Sequence, residues 1–278
     1  MTSLAIKEVA EQTGLAAGTI RMWEQRYGFP EPARTPAGYR VYTPQDVITL
    51  RRVVAFRGRG LSVPAALERA RAMHDATHRP SLFGALASGD WPVRPQRLRH
   101  STMVAVSHAI EDEALARAAA PIVIASFQSE ANYRGVEHRY RRLAGVADAV
   151  AVFADFPMLG LEGEDAPVEI PIGPGDALGH EWAVIVDAPS FAACLIAWET
   201  PPRAARTDRV FEAIWTMDPA VVRHAVQVGA VLSARACPLL GARLDGLLLD
   251  RPLAVETPAP GLTALTNRIV GYLDAAAD

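Results

Sequence analysis

Hydrophobic residues near the start of the chain recur three and four positions apart, which is the spacing of an amphipathic helix. The pattern predicts a first helix that Gly14 ends and a second helix over about 17–27. In segment 33–43, Tyr39, Val41 and Thr43 alternate with Arg40 and Tyr42 after a Pro-Ala-Gly turn, which predicts a two-stranded hairpin. Thr43 is the predicted N-cap of a third helix, because proline and aspartate follow it at favoured positions. This order of elements predicts an all-α winged helix-turn-helix head over 1–75.

The pattern changes after a fourth predicted helix over about 62–74. Residues 76–100 are a mixed stretch with several prolines and glycines, typical of a linker leading into the next domain. The body, 101–278, alternates predicted helices with continuous apolar runs; the runs over 181–198 predict a hairpin inside a sheet, and a last helix is predicted over 262–276. The fold class predicted is therefore α/β overall, an all-α head followed by an α+β domain whose mixed sheet is flanked by helices.

Composition excludes several classes of protein. The chain has 278 residues, of which 50% are hydrophobic, and a mean hydropathy of +0.10, which excludes a disordered chain. No apolar run reaches the roughly 18 residues that a membrane span needs. The N-terminus is too polar for a signal peptide, so we expect a cytoplasmic protein. The two cysteines, Cys194 and Cys237, fit neither a disulfide framework nor a metal site.

Charge is distributed unevenly between the head and the body. Residues 1–75 carry 11 basic and 7 acidic residues, whereas the remainder carries 17 basic and 24 acidic residues. A basic head on an acidic body indicates a polyanionic partner for the head alone.

Arginine, threonine and tyrosine side chains of the second helix and the hairpin are candidate DNA contacts. Arginine offers planar donors to phosphate or guanine, and tyrosine hydroxyls donate to phosphate oxygens. The candidates are Thr19, Arg21, Arg26, Arg34, Tyr39, Arg40 and Tyr42. The alternative is that they are ordinary solvated residues on a small helical bundle.

The segment TIRMWEQRYGFPEPARTPAGYRVYTPQDV resembles the N-terminal domain of the MerR family of bacterial transcription regulators. The resemblance covers 3 to about 72 and is closest to the branch whose recognition helix ends in W-E-x-R-Y-G. It implies that Thr19, Arg21 and Trp23 occupy contact positions of the recognition helix. It also implies double-stranded operator DNA as a partner, a homodimer, and RNA polymerase at the promoter. The heptads of the long dimerisation helix found in many members are missing between Asp75 and His100.

Two groups of polar residues in the body could bind a ligand or a metal. His108, Glu111 and Asp112 have the spacing of metal ligands on one helix face, but no second cluster completes a site, and the alternative is a polar face with intrahelical pairing. We predict no metal. Arg139 and Arg142 could bind an anion, and the alternative there is a solvated helix face.

Aromatic residues on the predicted strands indicate either the core of a mixed sheet or a partly apolar ligand pocket. In the pocket interpretation, Trp182 and Trp198 form the walls and Glu199 or Asp187 lies at the polar end. No phosphate-binding loop, nucleophile elbow or catalytic set is present in the sequence, so we predict no enzyme.

The body also resembles a known domain. The segments SLFGALASG, FQSEANYRGVEHRYRRLA and EWAVIVDAPSFAACLIAWE are similar to the DICT domain, a sensory domain attached to diguanylate cyclases, two-component proteins and MerR-type heads. The resemblance covers roughly 80–235 and implies signal input, with a small-molecule effector as a partner, but it identifies no cofactor. The motif Asp-x-His-x-x-Gly is missing, which argues against the cobalamin sensor found behind similar heads.

Two functions of different class remain open at the level of sequence. The first is a MerR-family transcriptional regulator that binds operator DNA as a dimer and responds to a signal through its body. The alternative is a ligand-binding or enzymatic protein whose N-terminal module mediates protein docking or dimerisation.

Overall fold

The structure is a computed structural model, and it describes residues 4–58, 60–64, 66–67, 70, 81–89, 91, 93–163, 165–200, 209–255, 265–266, 268–269 and 272. The chain divides into two units, Met1–His74 and Asp75–Asp278, called the head and the body below. Most of the last predicted helix, over 262–276, and most of the fourth, over 62–74, lie outside the described residues.

In its continuously described part, 4–58, the head contains three helices and a small hairpin. The elements in chain order are α1 (Ile6–Thr13), α2 (Ala17–Tyr27), β1 (Ala33–Arg34), β2 (Arg40–Val41) and α3 (Pro44–Gly58). Gly14 ends α1 in a left-handed conformation with φ of 71°, which glycine adopts without a steric penalty. The predicted cap of α3 is present, because the Asp46 N–H donates to Thr43 Oγ1 at 3.1 Å and the Thr43 N–H donates back to Asp46 at 2.7 Å.

The body is built on a seven-stranded mixed sheet. Its strands are β3 (Gln96–Arg99), β4 (Ile122–Ser126), β5 (Ala149–Ala154), β6 (Val168–Pro171), β7 (Glu181–Ala188), β8 (Phe191–Glu199) and β9 (Val210–Thr216). Their order across the sheet is β3-β9-β8-β7-β4-β5-β6, in which β4, β5 and β6 are parallel neighbours and the other pairs are antiparallel.

Helices cover both faces of this sheet. They are α4 (Leu82–Ala87), α5 (His100–Arg117), α6 (Glu130–Arg134), α7 (Glu137–Ala144), α8 (Pro219–Ala236) and α9 (Pro238–Asp250), and a short 3-10 helix spans Ala177–His180. Helices α5 and α7 pack on one face, called face 1, and α4 and α8 pack on the other, called face 2. The fold class predicted from the sequence is confirmed. Among the described residues, no helix is both long and apolar enough to cross a membrane.

Part of the stretch predicted as a linker belongs to the sheet layers. Residues 82–87 form α4, which buries Leu82, Ala85 and Leu86 against face 2. Residues 96–99 form the edge strand β3, which the sequence did not reveal because most of its side chains are polar and exposed. Helix α5 also begins at His100, one residue before the predicted start of the body at 101.

Two buried carboxylates on β7 connect the sheet to the helices of face 2. Asp187 is fully buried and accepts two hydrogen bonds from Arg223 of α8, at 2.5 and 3.3 Å. Glu181 is also fully buried and accepts hydrogen bonds from the Ser81 hydroxyl and from the Leu82 N–H at 2.9 Å, at the start of α4. Burial raises the pKa of Glu181 to about 7, although these donors oppose the shift.

The titration of Glu181 predicts how the stability of the body depends on pH. Because its pKa is higher in the folded than in the unfolded chain, the folded state binds more protons between about pH 4.5 and about pH 7. The free energy of unfolding should therefore fall as the pH rises through that window, by roughly 2–3 kcal/mol. Glu181→Gln, which cannot ionise, should lack this decline. Urea unfolding of both proteins between about pH 4.5 and 8 measures the difference, and parallel profiles would contradict the prediction.

Candidate functional site

Helix α2 presents two chemically distinct faces. Ile20 and Trp23 face the core of the head and are 0% and 1% exposed. The outward face consists of four residues with the spacing i, i+3, i+4 and i+7. They are Gly18, Arg21, Met22 and Gln25, all exposed.

Two of the residues predicted to contact DNA are buried in the head. The Trp23 indole packs in the core, and Tyr42 is 0% exposed. The backbone of Tyr42 also forms an antiparallel bridge with Leu4, and this bridge holds the N-terminal segment against the hairpin. A fully buried side chain cannot reach a base or a phosphate, so we remove Trp23 and Tyr42 from the predicted contacts and assign them to the core.

The hairpin is held against α2 by an ion pair. Glu24 of α2 accepts a hydrogen bond from Arg40 Nε at 2.6 Å, and Arg34 lies 3.8 Å from the same carboxylate. The hydrogen bond to Glu24 raises the pKa of Arg40. One carboxylate thus orients two of the predicted DNA-contacting arginines relative to the helix.

The tip of the hairpin is a tight turn that leaves its side chains in solvent. The Gly38 N–H donates to the Thr35 carbonyl at 2.8 Å, and Gly38 has φ of 83°, which favours glycine at this position. Tyr39 follows the turn and is 73% exposed. An exposed ring beside two arginines is suited to contact a nucleic-acid backbone.

The remaining predicted contacts lie on the surface of α2. Arg21 and Arg26 are exposed and Thr19 is partly exposed. The sequence interpretation missed Met22 and Gln25, which share the outward face with Arg21. Their helical spacing from Arg21 was the available signal. Glutamine can bind adenine through two hydrogen bonds, and apolar side chains contact the methyl group of thymine.

A cavity of about 180 Å³ lies on face 1 of the body between α5, β7 and the segment after β4. We call it the α5 cavity. Its apolar walls include Val104, Phe127, Val136, Trp182 and Val184. Its polar lining includes His100, Ser107, His108, Glu111, Gln128, Asn132 and Arg209. Five of these residues (100, 104, 107, 108 and 111) recur along one face of α5, a periodicity that the sequence interpretation did not use.

Charged groups beside the cavity are paired with one another. Arg139 donates to Glu111 and, at 2.6 Å, to Asp112, and the Tyr140 hydroxyl donates to Glu111 at 2.9 Å. These contacts join α5 to α7. They replace both the pairing within α5 that was the alternative for Glu111 and Asp112 and the solvated helix face that was the alternative for Arg139. Arg139 is already engaged by two carboxylates, which argues against its predicted role as an anion ligand. Arg142 is exposed on the same helix.

The predicted aromatic walls lie on opposite faces of the sheet. Trp182 pairs with Ala197 across the strands and lines the α5 cavity, where its N–H donates to Ser107 at 2.9 Å. Trp198 pairs with Glu181, which points to face 2, and its ring contacts His180. Since paired residues share a face, Trp182 and Trp198 cannot enclose one ligand, and that prediction is wrong for Trp198.

Glu199 lies on face 1, at the edge of the α5 cavity. It accepts hydrogen bonds from Arg209 at 2.6 and 2.8 Å and from Gln128 at 2.7 Å. The Arg209 hydrogen bond lowers the pKa of Glu199, so the carboxylate is ionised at neutral pH. The pair Arg209–Glu199 therefore brings no net charge to the cavity mouth.

Two imidazoles on α5 also line the cavity, and within the described residues neither ring makes a hydrogen bond or an ion pair to a carboxylate. Partial desolvation of the ring at the cavity mouth, followed by the charge of Arg209, lowers the pKa of His100. Partial burial, followed by the charge of Arg139, lowers the pKa of His108. Both rings are therefore neutral at pH 7. In the described part of the chain, no three metal-ligating side chains converge on one point.

Comparisons with known proteins assign both units. A family model described as "MerR HTH family regulatory protein" matches residues 4–72, and one described as "Sensory domain in DIguanylate Cyclases and Two-component system", DICT, matches residues 81–200. Neither model is a catalytic domain.

Curated relatives match mainly through the head. The HTH-type transcriptional repressor CarA of Myxococcus xanthus is 41% identical over 71 residues, which are 25% of this chain and 25% of CarA. The repressor CarH of the same organism is 43% identical over 61 residues, 22% of this chain and 20% of CarH. The HTH-type transcriptional regulator CueR of Vibrio cholerae is 28% identical over 99 residues, 36% of this chain and 71% of CueR. The chain thus spans about a quarter or less of CarA and CarH.

The helix-turn-helix geometry of the head and the mixed sheet of the body agree with these two assignments. The relatives are transcriptional regulators, and the matched domains are a DNA-binding and a sensory domain rather than catalytic ones. The chain carries an N-terminal MerR-type helix-turn-helix domain followed by a DICT sensory domain.

Proposed function

We propose that this protein is a transcriptional regulator that binds operator DNA as a dimer through α2 and the β1–β2 hairpin. In this proposal each head binds one half-site of a roughly palindromic operator. The DICT body senses a small-molecule effector, and RNA polymerase at the promoter is a further partner implied by the family. The protein acts in the cytoplasm, where the DNA is.

The outward face of α2 carries this proposal. Arg21, Met22 and Gln25 are exposed because Ile20 and Trp23 fill the core from the opposite side of the helix. A face that combines arginine, glutamine and an apolar side chain has the chemistry for reading base edges in a major groove. The hairpin beside it adds Arg34 and Tyr39 for the backbone.

Binding to random-sequence DNA separates this function from the docking alternative. The log of the association constant for duplex DNA should fall steeply with the log of the salt concentration between about 50 and 200 mM, because bound phosphates release counterions. Fluorescence anisotropy of the full chain with a labelled duplex measures the slope. A salt-independent or undetectable association would support a head that docks to a protein.

We expect Arg21 to contribute to direct readout. Arg21→Ala should weaken binding to an operator, selected from a randomised DNA pool with the full chain, by roughly 1–3 kcal/mol. It should relax base preference at one position of each half-site. Arg235→Ala, which removes the same charge from an exposed position of α8 in the body, is the matched control. Equal affinities of both variants and the parent protein would remove Arg21 from the reading surface.

We expect Arg40 to contact the DNA backbone. Arg40→Ala should lower the affinity for operator DNA and for random-sequence DNA by similar factors. It should also reduce the slope of log affinity against log salt concentration by about one, since one phosphate contact is lost. Anisotropy titrations at several salt concentrations measure both quantities. Because Arg40 also pairs with Glu24, circular dichroism of the variant must first show an unchanged melting temperature. A loss confined to the operator would contradict the backbone role.

A further inference from the structure

The α5 cavity is built like a small-molecule site rather than a packing defect. Its volume of about 180 Å³ compares with an engineered cavity of roughly 150 Å³ that is known to accept benzene. Apolar side chains from three directions enclose it: Val104 of α5, Phe127 after β4 and Trp182 of β7. His100, Asn132 and Arg209 are exposed and line the cavity at its open side.

The walls favour a flat ligand. The Trp182 ring meets the Phe211 ring edge-on at 5.8 Å and the His100 ring at 5.5 Å, and its N–H is held by Ser107. These contacts fix the orientation of the indole before any ligand enters. Fixed aromatic walls bind planar rings at low entropic cost.

The electrostatics favour a ligand without formal charge. Glu111 and Asp112 both pair with Arg139, and Arg268 lies 3.9 Å from Asp112. Glu199 pairs with Arg209. A charged ligand would lose its hydration and find every opposite charge already engaged, which is unfavourable in a partly buried site. The cavity therefore differs from the anion site that the sequence suggested.

The polar group that remains for a ligand is an uncharged imidazole. His108 lies inside the cavity, half-buried, and within the described residues its ring makes no hydrogen bond. A neutral imidazole donates through one nitrogen and accepts through the other. It can therefore pair with a hydroxyl, an amide or a heteroaromatic nitrogen on a flat ligand.

We propose that the α5 cavity is the effector site of the DICT domain and that its ligand is a small, uncharged aromatic molecule with one hydrogen-bonding group directed at His108. This inference deepens the proposed function by naming the chemical class of the effector. It rests on that function only for the effect of the ligand on DNA binding. The binding event itself is a separate property of the body.

The charges around the two imidazoles determine how binding depends on pH. His100 faces Arg209 and Glu199, whereas His108 faces Arg139, Asp112, His138 and the Tyr272 ring, with Glu111 one turn away on α5. Both histidines have lowered pKa values, so acidification below their usual range protonates them beside arginines. Affinity for an uncharged ligand that needs the neutral ring should then fall, and affinity for an anion should rise.

Three probes with the same ring test the ligand class by calorimetry on the full chain. They are benzyl alcohol, benzoate and benzylammonium. At about pH 8 benzyl alcohol should bind at least about tenfold more tightly than either ion, because only the uncharged probe avoids an uncompensated charge. Its affinity should fall toward about pH 5.5. A preference for benzoate or benzylammonium at pH 8 would overturn the proposed class, and no heat from any of the three would overturn the site.

Matched variants locate the binding. Val104→Trp fills the cavity and should abolish benzyl alcohol binding, whereas Val146→Trp, at a position 48% exposed and outside the cavity lining, should not. If Val104→Trp lowers the melting temperature, Val104→Phe replaces it with a smaller volume change. Retained binding in a folded Val104 variant would place the probe elsewhere.

His108→Leu tests the hydrogen-bonding role. It removes one of the two titrating imidazoles, so the residual affinity for benzyl alcohol should fall less toward pH 5.5 than in the parent protein, and His100 accounts for any fall that remains. A merely structural role for His108 would lower affinity at every pH and leave the dependence in place, which would contradict the proposed contact.

Binding to random-sequence DNA is measured on the same samples. A protein that binds DNA but none of the probes would refute the effector site and leave the proposed regulator intact. A protein that binds benzyl alcohol but shows no salt-dependent DNA binding would refute the regulator and leave the cavity assignment intact.

Discussion

The body depends on one constraint, which is that its central strands are buried on both faces. Strands β4, β7 and β8 lie between two helical layers, so a polar side chain buried on them needs a hydrogen-bonding or charged partner. Asp187 finds Arg223 of α8, and Glu181 binds the start of α4. These contacts fix which helices pack on face 2.

In the head, the separation of buried and exposed side chains on α2 produces the surface proposed to contact DNA. Its core uses large aromatic residues, Trp23 and Tyr42, that resemble surface contacts when only the sequence is considered. By filling the interior, they free the opposite side of α2 for Arg21 and its neighbours. Glu24 links α2 to the adjacent hairpin, because its carboxylate pairs with two arginines of that hairpin.

The two candidate sites differ in their electrostatics, and the difference suits their proposed partners. In the head, Arg21 and Arg26 are exposed, and the basic residues exceed the acidic ones, as contact with a polyanion requires. Around the α5 cavity, each carboxylate is matched by an arginine, and neutral imidazoles remain. The head and the α5 cavity thus differ in the charge of the partner that each is proposed to bind.

The sequence by itself determined the elements whose signals are local. The capping residues of α3, the glycine after α1 and the continuous apolar runs of β7 and β8 each indicated the observed structure, since caps and hydrophobic runs act within a few residues. Strand β3 carries a weaker local signal, because it is a polar edge strand.

Only the tertiary structure decided which residues share a site. Strand register placed Trp182 and Trp198 on opposite faces, because side chains alternate along a strand and pairing sets that alternation. Packing of α7 on α5 turned Arg139 from a candidate anion ligand into the partner of Glu111, 28 residues earlier in the chain. Such contacts join distant segments, and they leave no trace in the local pattern from which the elements were predicted.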